Sequence, residues 1–133
     1  MTCSPRRCRC PVALIAVAVA AATACGDANG ASVAAANQLT GGDAARGREL
    51  MRSYGCASCH TIPGVTGANG LVGPPLRGIA SRSYIGGVLP NAPDNMLRWL
   101  RDPRAVDSLT AMPNVGVTPS DARHLAAYLY TLR

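Results

Sequence analysis

Phenylalanine and lysine are missing altogether from the 133 residues, which hold only one tryptophan, four tyrosines and two histidines. So few aromatic side chains leave a thin apolar inventory, and a domain this small often needs a staple or a prosthetic group to be stable. Long apolar runs are missing too. The longest, residues 12–22, is about half of the roughly 20 residues that a transmembrane helix requires. Residues 62–90 are rich in Gly and Pro and show no apolar–polar alternation, which argues against a regular sheet there. There is no internal repeat, and the length suits one ordinary domain.

Six cysteines are present, but their placement excludes a disulfide framework. Cys3, Cys8 and Cys10 lie in a basic N-terminal segment, Cys25 closes it, and only Cys56 and Cys59 fall in the region expected to fold. Arg6, Arg7 and Arg9 followed by the short apolar run and by Ala22-Thr23-Ala24 form the pattern of a signal peptide over residues 1–24. The Arg6-Arg7 pair lacks the rest of a twin-arginine pattern and reads as a plain basic n-region. Export would leave ten arginines against seven acidic residues, a balance of +3 where the whole chain has +6. No basic cluster interleaved with aromatics remains, so nucleic-acid binding is not expected. Cys25 would be one unpaired thiol in an oxidising compartment. Lipidation of Cys25 as a bacterial lipoprotein resolves that oddity and implies membrane anchoring. Ala22 stands where Leu is usual in that signal, and ordinary cleavage after Ala24 is the alternative.

Residues 25–42 are dominated by Ala, Gly, Asn, Ser and Thr without an apolar period, and read as a flexible tether. The folded domain is expected over residues 43–133, all-α with long loops. Its first helix follows an N-cap at Asp43, with Gly47, Leu50, Met51 and Tyr54 on one face and Gly55 as its stop. A glycine at 47 costs helix propensity and suggests close backbone approach. A second helix over residues 93–102 carries Met96, Leu97, Trp99 and Leu100 and ends at Pro103. The last has the strongest local signal: Thr118 to cap it, Pro119 in its first turn, Asp121 completing a near capping box, then Leu125, Tyr128, Leu129 and Leu132.

Between the first two helices stands Cys56-Ala57-Ser58-Cys59-His60. C-x-x-C-H is the attachment signature of c-type haem: two thiols on one turn add to the vinyl groups, and the adjacent His60 becomes the proximal iron ligand. A thioredoxin-like pair would need a βαβ setting, of which there is no trace. Zinc would need a fourth N or S ligand, and only His124 is left in the domain. The candidates for the sixth iron position are Met51, Met96, Met112 and His124. Met51 and Met96 fit helical apolar stripes and are explained by core packing. Met112 sits in non-helical Thr110-Ala111-Met112-Pro113, where packing alone explains it poorly and Pro113 favours an extended backbone before it. Met112 is therefore the expected ligand.

With G-R-E-L-M-R-S-Y-G-C-A-S-C-H, then G-P-P-L-R-G, A-M-P and L-A-A-Y-L, the chain resembles the class I cytochromes c over nearly all of residues 43–133. The resemblance implies crossing N- and C-terminal helices, with loops wrapped around one covalent haem. It implies that Gly47 and Tyr128 meet at the crossing, and that the Pro74 carbonyl accepts from the second ring nitrogen of His60. It places Arg82 and Tyr84 in the region that satisfies a haem propionate and Trp99 beside the haem on the methionine side. Two features depart from the pattern: without lysine there is no lysine-rich docking face, and Ala92 stands where a better N-cap is expected.

The expected function is a one-electron carrier in an extracytoplasmic respiratory or other redox chain, with a protein donor and acceptor. The location would be the periplasm or the outer face of the cytoplasmic membrane. One alternative is a haem-bearing relay subunit of a larger oxidoreductase; no catalytic residues of its own are expected. Another is a gas or redox sensor, which needs an open or displaceable iron position.

Overall fold

The structure, a computed structural model, describes residues 28–133. The signal peptide and Cys25 lie outside the described residues. The fold is all-α: α1 (Ala28–Thr40), α2 (Ala44–Ser53), α3 (Pro93–Arg101), α4 (Pro103–Val106) and α5 (Pro119–Thr131). Among the described residues the extended structure is a hairpin, β1 (Tyr84–Ile85) antiparallel to β2 (Leu89–Pro90), and an isolated bridge between Thr61 and Asn69. Two-residue strands are too short to show alternation in a sequence.

Helix α2 starts where its cap predicts. The Asp43 carboxylate accepts from the amides of Ala45 at 2.8 Å and Arg46 at 3.1 Å, satisfying donors that the first turn leaves open. Gly55, with φ of 72°, ends it in the left-handed region that glycine takes without strain. At the start of α5 the Thr118 hydroxyl accepts from the Asp121 amide at 3.1 Å, and Pro119 occupies the first turn. Ala122, Leu125, Ala126 and Leu129 then face the core with 3% exposure or less.

α2 and α5 cross with their backbones in contact. A Cβ built on Gly47 would lie 1.9 Å from the His124 carbonyl oxygen and 2.9 Å from Tyr128 Cβ. One added at Gly42 would come within 2.2 Å of the Arg123 carbonyl oxygen. Polar groups lock the crossing. The Asp43 amide donates to His124 Nδ1 at 2.9 Å, and the Tyr54 hydroxyl donates to Asp121 Oδ2 at 2.7 Å. Arg46 lies 3.7 Å from the same carboxylate. The Tyr54 hydrogen bond, more than the nearby charges, holds the Asp121 carboxyl below the usual aspartate range.

Residues 28–40 correct the expectation of a flexible tether over residues 25–42: they form α1, packed on α5. Ala36 and Thr40 are buried. The Asn37 amide oxygen accepts from the Ala44 amide at 2.8 Å, and the Gly41 amide returns to the Asn37 carbonyl at 2.9 Å. Alanine is the strongest helix former, and its small side chain lets the helix lie against a neighbour without a broad apolar stripe. Pro103 stops α3 as its chemistry predicts. Asp102 then caps a further turn by accepting from the Ala105 amide at 3.2 Å, so the chain restarts as α4.

The loops are pinned by tyrosines of α5. The Tyr128 hydroxyl donates to the Pro63 carbonyl, and the Tyr130 hydroxyl donates to Asn91 Oδ1 at 2.9 Å. Asn91 in turn donates to the carbonyls of Ile79 and Arg82, each at 2.8 Å. A chain with few aromatics therefore uses them at both ends, ring in the core and hydroxyl on a loop.

Candidate functional site

A cavity of about 480 Å³ opens between the end of α2, the Cys56–Ser58 turn, the loops around residues 72–86, α3 and residues 110–115. Its size falls in the range of cofactor pockets and its walls are mostly apolar. Cys56, Cys59, His60, Pro74, Arg82, Trp99 and Met112, which sequence spacing leaves far apart, all line it.

The Cys56–Ser58 turn forms one wall. The Cys59 and His60 amides both donate to the Cys56 carbonyl, at 3.3 and 3.0 Å, a winding that leaves both cysteines and His60 on the cavity wall. Both cysteines are free thiols, half-buried, and not joined to each other. Burial pushes the Cys56 thiol up, and the Cys59 neighbour adds to the effect against a backbone hydrogen bond that opposes it.

The imidazole is oriented from the loop beside it. His60 Nδ1 lies 2.7 Å from the Pro74 carbonyl oxygen. A carbonyl only accepts, so the proton belongs on Nδ1 and Nε2 keeps its lone pair for a metal. The Gly73 amide donates to the Cys59 carbonyl at 2.8 Å, drawing the loop against the turn. A Cβ at Gly73 would stand 2.3 Å from His60 Cε1, so only glycine lets the ring lie there.

Met51 and Met96, with 1% and 2% exposure, line the cavity from α2 and α3 and are also part of the core. Met112 reaches it from a non-helical segment in which the Thr110 hydroxyl accepts from the Met112 amide at 3.2 Å. His124 does not line the cavity; its Nδ1 is used at the helix crossing. Among the described residues no group of three or more His, Cys, Asp or Glu is placed to hold a metal ion.

Trp99 is buried with Gly86 against its ring; a Cβ at Gly86 would lie 2.4 Å from Trp99 Cη2. The Arg82 guanidinium folds back on its own loop, donating to the carbonyls of Pro75 and, at 3.2 Å, Arg77. Tyr84 stands apart. Alternation in β1 sends Ile85 inward and leaves Tyr84 58% exposed, outside the cavity lining. Leu76, Ile79, Ile85 and Leu129 complete the apolar walls and were not anticipated as site residues. Only Leu129, on the α5 stripe, carried a periodic signal.

The donor set of two thiols, an imidazole with a free Nε2 and a thioether, in a largely apolar cavity, fits a covalently held iron porphyrin. The cytochrome c family model matches residues 44–133. Cytochrome c oxidase subunit 2 of Alkalihalophilus pseudofirmus is 30% identical over 89 residues, covering 66% of this chain. The chain spans 25% of that relative's length. No solved structure matches it.

Proposed function

Since the chain belongs to the cytochrome c family, and with it binds haem c covalently and transfers electrons, we propose that it is a monohaem carrier in which His60 and Met112 would hold the iron. The observation that carries this reading is the placement of Met112 in the same cavity as a His60 ring whose Nδ1 is tied to Pro74. Haem c supplies a one-electron Fe(III)/Fe(II) couple when bound.

The chain's own residues do the rest. Cys56 and Cys59 provide the thioether sulfurs, so the group cannot be lost with a change of redox state. Pro74 and Gly73 hold the His60 ring in one tautomer and one orientation, which limits rearrangement at the metal. Met112 offers a soft, neutral sulfur that favours the reduced metal and raises the potential relative to a second imidazole. Trp99, Met51, Met96 and the aliphatic walls keep water away and lower the dielectric around the centre.

In this reading the chain is exported by residues 1–24 and held at the outer face of the membrane through a lipid on Cys25. Its donor and acceptor are then extracytoplasmic redox proteins. The alternative role, relay subunit of a larger oxidoreductase, draws support from the relative described as a cytochrome c oxidase subunit. Co-purification of a stoichiometric partner would favour that alternative over a free carrier.

Met112→Ala tests the ligand assignment. It should abolish the weak near-infrared band of a ferric iron–methionine bond, lower the reduction potential and let carbon monoxide bind the reduced protein. Met51→Ala and Met96→Ala should keep the band and instead destabilise by about 2–5 kcal/mol, as buried truncations do. Rapid carbon monoxide binding by the unmutated reduced protein would refute the carrier reading and favour a sensor.

A further inference from the structure

A second concavity, of about 450 Å³, lies beyond the segment that supplies Met112. Residues 112, 113 and 115 line the haem cavity, whereas Asn114, Gly116 and Val117 line this groove, so one extended backbone separates the two. Its other wall is α3 and α4, which present Arg98 and Arg101 over Ala105 and Val106. The two arginines are three apart on one helix and share a face. Both are exposed, and neither pairs with a carboxylate among the described residues, where the one ion pair joins Arg46 to Asp121. The acidic group that lines the groove, Asp102, is already engaged in capping α4 through the Ala105 amide at 3.2 Å.

We propose that this groove docks an acidic segment of the redox partner protein, with partner carboxylates on Arg98 and Arg101. Two guanidinium forks with open donors suit carboxylates in bidentate geometry, and the Ala105, Val106 and Val117 surface accepts the aliphatic parts of the same side chains. Charge points the same way: residues 43–133 carry ten arginines against six acidic residues, a balance that steers an acidic partner inward. A partner seated here lies one chain thickness from the haem cavity, a short path for an electron. The inference rests on the electron-transfer role for the nature of the occupant, and the Met112 experiment tests that role separately.

The test uses the isotopically labelled holoprotein titrated with a hexaglutamate peptide, followed by calorimetry and amide shifts. Binding should weaken as ionic strength rises and the Debye length falls below about 10 Å. Shifts should be confined to α3, α4 and residues 114–117. The R98Q/R101Q variant should bind about tenfold more weakly, in line with the loss of two exposed pairs, and R98K/R101K should fall between the two, because an ammonium keeps the charge and loses the bidentate fork. An unchanged haem spectrum in each variant shows that the fold is intact. Shifts elsewhere, no binding, or equal affinity of R98Q/R101Q would overturn the proposal. So would binding to phosphatidylglycerol vesicles that depends on the two arginines while the peptide does not bind, which would make the groove a membrane contact.

Discussion

Alanine at position 47 should weaken this protein although alanine is the better helix former. In an unobstructed helix the change would gain about 0.5–1 kcal/mol. Here the new Cβ would fall 1.9 Å from the His124 carbonyl oxygen, and ordinary contact begins at 3.4 Å. The obstruction is backbone, with no flexible end to swing away, so α2 and α5 must part by about the difference, 1.5 Å. Overpacking of a close-packed contact costs roughly 1–3 kcal/mol and sometimes more. Parting the helices also stretches the Asp43–His124 and Tyr54–Asp121 hydrogen bonds that tie them. The net expectation for Gly47→Ala is a loss of about 1–3 kcal/mol. For a domain of this size each kcal/mol moves the thermal midpoint by about 4–8 °C. Denaturant unfolding of the holoprotein reads it, with Ala45→Gly as the opposite exchange on the exposed face of the same helix. Ala45→Gly should lose about 1 kcal/mol through propensity alone. If Gly47→Ala matched or exceeded the unmutated protein, the close crossing would be wrong.

Gly73→Ala should displace the His60 ring, because its Cβ would stand 2.3 Å from Cε1, and should loosen the bond to Pro74; the readout is a shifted reduction potential with the haem still covalently attached, and an unchanged potential would count against the role given to Gly73. Asp121 titrates below its ordinary 3.8 chiefly because Tyr54 donates to it, so its stabilisation is present above that value and lost as pH falls through the lowered one. Acid unfolding of Tyr54→Phe should therefore show a shallower loss of stability below about pH 4 than the unmutated protein, and equal slopes would refute the linkage.

The parts of this fold that are legible in the chain are those with local punctuation. Asp43 and Thr118-Pro119 mark helix starts because an orphan amide needs an acceptor at a fixed offset, and the structure shows those bonds. The C-x-x-C-H turn is legible because its five residues are contiguous and one turn suffices to gather them. Met112 stood out because no helical stripe accounts for a methionine before proline. By contrast, α1 has no apolar period to reveal it. Its helix depends on packing against α5, distant in sequence, which composition does not register. Tyr84 illustrates the same limit: its neighbour Ile85 takes the inward position, and only the hairpin register decides between them.

The absence of phenylalanine acquires a meaning once the walls of the cavity are known. Met51, Met96, Leu100 and Leu129 belong both to the buried core and to the cavity lining, so the flat aromatic mass missing from the side chains is supplied by the haem. Glycine does the complementary work. At 47 it lets two helices touch, at 73 it lets the imidazole lie flat, and at 86 it lets the indole approach the loop. A side chain at 73 or 86 would push a residue that lines the site, and one at 47 would part the helices beside it. The scarcity of large side chains and the placement of these glycines are therefore one arrangement, in which the polypeptide closes around a group larger than any residue it contains. Covalent attachment, which we propose runs through Cys56 and Cys59, then makes physical sense: a chain that relies on the haem for its core gains from never releasing it.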